Sequence, residues 1–378
     1  MTDERLRVMM TGGGTGGHVY PALAVASELR RLVPAVEFLY VGTREGLESR
    51  IVPAAGLPFR SVRARGFIRK RPLDLVRAVL DLARGYRTAL VLVRAFRPAV
   101  VLGTGGYVMA PVILAAARCR VPVVLHEQNA LPGVANRWLS RYADVVAVPF
   151  DEAVAAFPRA RRVEVTGNPT RPEILTARTP DARRELGLDP DRPVVLITSG
   201  SRGARSLNRA AVEWIRGGEL PAQVLLSTGH AYHSEVVRSL ASAGLDAGAL
   251  AGRGVVVVPY LERMDLALAA ASLAVTRAGA LTIAELTARG VPAILVPSPN
   301  VTHDHQHRNA ELLRRAGAAV LLPDAELSGA RVGREVERLL SDGERLAAMA
   351  RAAAALGRPD AGRRLAELLL EAAGRGSR

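Results

Sequence analysis

A chain of 378 residues, 49% of them apolar, is long enough for two ordinary domains with a core each and does not have the composition of a disordered protein. The single cysteine, Cys119, excludes a disulfide framework and suits a reducing compartment. The net charge of +15 is almost all arginine, Lys70 being the only lysine; with 4% aromatic residues for base stacking, it points to an anionic lipid surface or a phosphate-bearing substrate before nucleic acid.

Met1 to Met10 is short and charged and runs straight into a strand, so no signal peptide is expected. No apolar run approaches the roughly 20 residues of a membrane-spanning helix. Strands are predicted at Leu6–Met10, Val36–Val41, Ala99–Leu102, Pro122–Leu125 and Asp144–Val148, with helices such as Ala22–Leu32, Leu73–Phe96 and Ala110–Ala117 between them. This alternation predicts a parallel sheet covered on both faces. The turn-rich stretch Gly167-Asn168-Pro169-Thr170-Arg171-Pro172 reads as a linker. The pattern then restarts with Val194–Thr198, Gln223–Ser227, Val255–Val258, Leu273–Val275 and Ala293–Val296, and ends from about Ala325 in helix without strand. The expectation is an α/β chain of two Rossmann-like, doubly wound domains, 1–166 and 167–344. A helical tail, about 345–378, should return onto the first.

Three glycine-rich corners follow strands and lead into helices: Gly12-Gly13-Gly14-Thr15-Gly16-Gly17-His18, Gly103-Thr104-Gly105-Gly106-Tyr107 and Ser199-Gly200-Ser201-Arg202-Gly203-Ala204. Glycine there permits positive φ and close backbone approach, and a helix N-terminus offers N–H groups to an anion. The second predicted strand ends Val41-Gly42-Thr43 without the acid that a dinucleotide ribose requires, which disfavours NAD. No corner carries the Gly-Lys-Ser/Thr of an ATPase loop. Three such corners suit a diphosphate and a lipid pyrophosphate better than a single nucleotide. Gly105, Gly106 and Tyr107 are the candidates for the lipid pyrophosphate.

His126-Glu127-Gln128-Asn129 follows a strand, where open α/β sheets collect ligands, although a cluster of turn and capping residues would look the same. In Thr276-Arg277-Ala278-Gly279-Ala280-Leu281-Thr282-Ile283-Ala284-Glu285, a strand turns on glycine into a helix. Glu285 could accept from sugar hydroxyls or simply balance the helix dipole. His303-Asp304-His305-Gln306-His307 has the look of a metal cluster, but the segment reads as a helix start that separates His305 from the other two. Asp189-Pro190-Asp191 resembles a magnesium-binding pair yet stands in a turn remote from any glycine loop. No metal and no cofactor is expected.

Taken together, Gly13-Gly14-Thr15-Gly16-Gly17-His18 with Pro21, Gly105-Gly106-Tyr107 with Pro111 and His126-Glu127-Gln128-Asn129 resemble the bacterial MurG family. So do Gly167-Asn168-Pro169 with Arg171, Gly200-Ser201 with Gly203-Ala204, Arg277 to Glu285, and Asp304-His305-Gln306 with Asn309-Ala310, all in the family's order over about residues 8 to 320. The resemblance implies a GT-B fold, two domains facing a central cleft. It also implies metal-free, inverting transfer of N-acetylglucosamine from UDP-N-acetylglucosamine to lipid I, undecaprenyl-pyrophosphoryl-N-acetylmuramyl-peptide. By matching positions, Thr15, Gly16, Gly17, Asn129, Arg171, Ser201, Ala280, Leu281, Thr282, Ile283, Ala284, Glu285 and Gln306 would hold the donor. Leu261 would meet the uracil through backbone groups. Arg202 departs from the glutamine common in the family.

An inverting displacement needs a base near the acceptor proton and stabilisation of the leaving diphosphate. His18 is the candidate base, and the helix N-terminus after the second corner could serve the diphosphate without metal. A UDP-N-acetylglucosamine 2-epimerase of the same fold is the rival enzyme. An arginine-rich nucleic-acid-binding protein is the rival of another class, although the arginines are scattered through helices and form no stripe. Phe67 and Ile68 beside Arg69, Lys70 and Arg71 read as a patch for anionic lipid, with the enzyme peripheral to the cytoplasmic face of the inner membrane.

Overall fold

The computed structural model describes residues 5–66, 72–200, 203–300 and 304–376. The chain divides into two compact units, residues 1–170 with 359–378, and residues 171–358.

The first unit is built on seven strands: β1 (Arg7–Thr11), β2 (Glu37–Gly42), β3 (Phe59–Ser61), β4 (Val100–Gly103), β5 (Val123–His126), β6 (Val145–Val148) and β7 (Val163–Val165). They lie in the order β3-β2-β1-β4-β5-β6-β7, every pair parallel. Strands buried on both faces need apolar side chains on both, so they read as unbroken valine-rich runs. Alternation along β1 shows the two faces. Val8 and Met10 join one core with Val25, Leu29 and Tyr40, while Met9 points into the other with Val101, Met109 and Ile113. The first helix, Gly16–Leu32, starts six residues before the predicted Ala22, because Pro21 is taken into its second turn.

The second unit repeats the plan with β8 (Val194–Thr198), β9 (Gln223–Ser227), β10 (Val255–Val258), β11 (Leu273–Thr276), β12 (Ala293–Leu295) and β13 (Ala319–Leu321) in the order β10-β9-β8-β11-β12-β13, again all parallel. Each sheet reverses its strand order once, between β1 and β4 and between β8 and β11. Loops leaving the carboxyl ends of those strands flank a crevice, the usual ligand position of an open α/β sheet.

The last helices divide between the units. Gly343–Leu356 stays with the second, where Gly290 and Gly357 make close contacts between it and the helix Ala280–Arg289. The return to the first unit therefore begins at Pro359 and not near residue 345. The final helix, Ala361–Gly376, buries Leu365, Ala366, Leu368 and Leu369 in the first unit's core. It is pinned by ion pairs of Arg364 with Glu164 and of Glu371 with Arg162.

Candidate active site

At the first switch point the loops after β1 and β4 interlock. The Gly13 N–H donates to Gly105 O at 3.2 Å. A Cβ on Gly106 would stand 2.4 Å from Gly13 O, and Gly106 has φ +82°, so only glycine fits. Thr104 Oγ1 lies 2.6 Å from His18 O and 3.3 Å from Thr11 O, tying the second loop to the start of the first helix.

His18 lies against this junction. A Cβ on Gly105 would meet its ring at 2.6 Å. Its Nδ1 is 2.8 Å from Gly13 O, and a carbonyl only accepts, so Nδ1 carries the hydrogen and Nε2 the lone pair of the neutral ring. Thr15 Oγ1 is 3.3 Å from the same Nδ1. The predicted residues Thr15, Gly16, Gly17, His18, Gly105, Gly106 and Tyr107 thus share one corner, with the half-exposed Tyr107 ring 3.7 Å from where a Gly14 Cβ would be.

His126-Glu127-Gln128-Asn129 is mostly internal scaffolding. Glu127 is buried and accepts from the Gln128, Asn129 and Gly133 N–H groups and from the Asn136 amide. The Gln128 amide donates to Thr104 O at 2.6 Å, which joins the loops after β4 and β5. His126 is fully buried, with Nε2 donating to Gly167 O at 3.3 Å and Nδ1 accepting from Gln128 at 3.0 Å. Burial, partly offset by the Gly167 bond and reinforced by His18, lowers its pKa to about 4. Asn129 is the half-buried member at the end of the run.

Glu48 is absent from the expectations above. It begins the helix Glu48–Ala54 and its carboxylate is buried under the first glycine loop, accepting from Thr43 N–H at 2.9 Å, Thr43 Oγ1 at 2.6 Å and Gly14 N–H at 3.1 Å. One loop N–H that a bare reading offers to an anionic ligand is therefore already taken by the protein. Tyr40 also enters the loop, its hydroxyl donating to Gly12 O at 2.8 Å.

In the second unit, Ser201 and Arg202 lie outside the described residues. Around them Gly200 and Gly203 have φ +76° and +73°, and a Cβ on Gly203 would be 2.4 Å from Thr228 O. Across the switch point the helix Ala280–Arg289 opens with Ala280, Leu281, Thr282, Ile283 and Ala284, with neither a capping side chain nor an acid in its first turn. Glu285 follows one turn in, 3.5 Å from Arg171 Nη2, so two predicted donor residues 114 positions apart meet. Burial raises the Glu285 pKa, against the opposing pull of Arg171.

Arg277 is buried and turned inward, paired with Asp324 at 2.6 Å, donating to Val296 and Pro297 carbonyls and to Ser206 Oγ. It braces the loop after β11. Gln306 Oε1 accepts from Ser298 N–H at 2.9 Å, and Asn309 reaches Ala278 O at 3.3 Å, setting the helix His305–Arg315 beside that loop. Leu261 is buried just past β10 at the sheet edge, with β9 and β8 between it and β11, next to Tyr260 stacked on His230.

The Asp189 carboxylate accepts from Asp191 N–H at 2.9 Å and so closes a turn. His303 lies outside the described residues; among the described residues no group of three His, Cys, Asp or Glu is placed to hold a metal ion. Phe67, Ile68, Arg69, Lys70 and Arg71 are also outside them. The helix that follows, Pro72–Phe96, exposes Val79, Leu80 and Val91 alongside Arg84 and Arg87. No helix of the described residues is long and apolar enough to cross a membrane.

Comparison with known proteins agrees with this architecture. Residues 8–148 match the glycosyltransferase family 28 N-terminal domain and residues 194–365 its C-terminal domain. The UDP-N-acetylglucosamine–N-acetylmuramyl-(pentapeptide) pyrophosphoryl-undecaprenol N-acetylglucosamine transferase of Desulforudis audaxviator is 48% identical over 99% of this chain and 100% of its own length. The enzyme of the same name from Halalkalibacterium halodurans is 42% identical over 97% of this chain and 100% of its own. The crystal structure of Acinetobacter baumannii MurG superposes with a TM-score of 0.76 at 30% identity, covering 97% of this chain and 99% of that one. A Listeria monocytogenes protein described as a UDP-N-acetylglucosamine 2-epimerase reaches 0.66 over 96% and 95% of the two chains at 18% identity, a likeness of fold alone. With its switch-point glycine loops and end-to-end identity to these transferases, the chain belongs to the MurG family of glycosyltransferases.

Proposed function

We propose that this chain transfers N-acetylglucosamine from UDP-N-acetylglucosamine to lipid I, giving lipid II for peptidoglycan synthesis, with inversion and without metal. The observation that carries the reading is the 48% identity running end to end with a transferase of that name. In the displacement the acceptor oxygen bonds to the anomeric carbon as the bond from that carbon to the diphosphate breaks. The electron pair leaves with UDP and the acceptor proton passes to His18 Nε2. The tautomer imposed by Gly13 O, with the hydrogen on Nδ1 and the lone pair on Nε2, supports this role for His18.

Glu285 accepts from donor hydroxyls, with Arg171 beside it. Thr15, Gly16, Gly17, Asn129, Ser201, Gln306 and the helix start Ala280 to Ala284 complete the donor site, and Leu261 meets the uracil. Gly105, Gly106 and Tyr107 take the acceptor pyrophosphate. The enzyme works at an anionic membrane surface, the cytoplasmic face of the inner membrane, through residues 67–71; the exposed Val79, Leu80 and Val91 among arginines support a lipid-facing side here.

The deciding experiment supplies radiolabelled UDP-N-acetylglucosamine with and without a lipid I analogue. Label in the lipid product and UDP released only with acceptor are the expected results. An epimerised free sugar, or UDP released equally without acceptor, would overturn the reading in favour of the epimerase.

A further inference from the structure

Two contacts of the first glycine loop belong to one peptide group. The Gly14 N–H donates to Glu48 Oε2 at 3.1 Å, and the Gly13 carbonyl, the other half of that peptide, accepts from His18 Nδ1 at 2.8 Å. A carboxylate, a peptide and an imidazole are thus in series. We propose that Glu48 is a positioning residue for the transfer reaction, acting on His18 through the Gly13–Gly14 peptide to fix its tautomer and strengthen Nε2 as a base.

The chemistry follows from polarisation. A carboxylate accepting from the peptide N–H pushes electron density toward the carbonyl oxygen, and hydrogen bonds in a chain strengthen one another. The carbonyl becomes a better acceptor for Nδ1–H, which favours the protonated imidazolium once Nε2 takes a proton. The carboxylate also faces that imidazolium across about 7 Å, a distance built from two hydrogen bonds and one peptide. At an effective dielectric near 20 this is worth roughly one to two pH units in the basicity of His18.

The surroundings leave Glu48 as the main charge in the network. Among the described residues, the titratable groups facing the loop include Tyr20 of the first helix, against Gly16, Tyr40 from β2, Tyr107 from the second loop and His126 at the end of β5, with Glu45 acting on Tyr107. Burial and Glu48 hold Tyr40 and Tyr107 above their ordinary range, and His126 is neutral above about pH 4. Glu48 is also boxed in. A Cβ on Gly13, Gly42 or Gly46 would come within 2.6 Å of its side chain, so three glycines make room for it. A turn needing only a cap for Thr43 would not need to bring the carboxylate to Gly14.

The inference rests on His18 being the base, and the test separates the two ideas. In the full-length protein, nitrogen-15 labelled histidine is titrated by NMR, with His18 assigned by a His18→Gln variant. Native His18 is expected in the Nδ1–H tautomer. Glu48→Gln should lower its pKa by roughly one to two pH units. The acid limb of the kcat profile should move down with it, kcat should fall about three- to tenfold, and KM for the donor should change little. Glu48→Asp keeps the charge and should recover most of the His18 pKa. If Glu48→Gln does not fold, Thr43→Val, which removes one donor and leaves the carboxylate, should keep the native His18 pKa where Glu48→Asp shifts it slightly. An unchanged His18 pKa in folded Glu48→Gln, or a native Nε2–H tautomer, overturns the relay even if kcat falls. A His18 pKa that follows Glu48 while His18→Ala retains full kcat upholds the relay and refutes the base assignment.

Discussion

Acid should destabilise the first unit through one buried imidazole. His126 has no exposed surface, and burial holds its pKa near 4 against an ordinary 6.5. The folded state therefore favours the neutral ring. Above pH 6.5 both states are neutral and the full stability is present. Between 6.5 and 4 the unfolded chain takes up a proton that the folded one refuses, so stability falls as pH falls. Taken from pH 7.5 to 4.5, that linkage amounts to about 2.5 kcal/mol. The chain has two tryptophans, Trp138 in the first unit and Trp214 in the second, so a Trp214→Phe background leaves a single reporter, set edge to face with Tyr142 and under the Arg141 guanidinium. Urea unfolding followed at that reporter should show the midpoint dropping by about 1 M more in this background than in one that also carries His126→Asn. Equal pH sensitivity with and without His126 would refute the argument.

Three further outcomes are expected. Donor affinity measured by calorimetry should weaken on acidification earlier than an ordinary glutamate would cause, because the raised Glu285 pKa means that the accepting carboxylate is lost at a higher pH. Glu285→Gln should bind about tenfold or more weakly and show no such pH dependence. Gly106→Ala, whose Cβ would stand 2.4 Å from a carbonyl oxygen, should lower the melting temperature and turnover well beyond Gly56→Ala, which has a similar φ but nothing within 4 Å; equal effects would remove the close-approach argument. Phe67→Ser and Ile68→Ser with Arg69→Glu, Lys70→Glu and Arg71→Glu should abolish sedimentation with anionic vesicles while transfer to a short soluble acceptor survives, and undiminished vesicle binding would exclude this segment as the anchor.

The buried strands were legible because full burial on both faces leaves runs such as Val100–Gly103 and Val145–Val148 no polar positions. The edge strands Phe59–Ser61, Val163–Val165 and Ala319–Leu321 are three residues each and half-buried in part, too short to show a pattern. Glycine corners could be read because a backbone requirement leaves a residue type behind. The carboxylate under the first corner could not, since Glu48 reaches Gly14 across 34 positions and no spacing announces such a contact. Likewise Arg277 reads as a site residue from its motif, and only its partners Asp324 and Ser206, far along the chain, reveal a brace. His126, Glu127 and Gln128 show the same limit, since polar residues after a strand look alike whether they face a ligand or hold a loop.

The closing helix has a consequence for how the protein is made. Seven strands of the first unit have been synthesised by Val165, yet the side chains that complete the cover of one face of its sheet, Leu365, Ala366, Leu368 and Leu369, come two hundred residues later. At about 5–20 residues per second the ribosome leaves that face only partly covered, by the first helix, for roughly 10–40 s. During that interval the second unit, contiguous in sequence, can complete itself first. Synthesis order and folding order are thus partly inverted. A stop codon near the 3′ end of the message, removing only the last helix, would strike the unit encoded at the 5′ end.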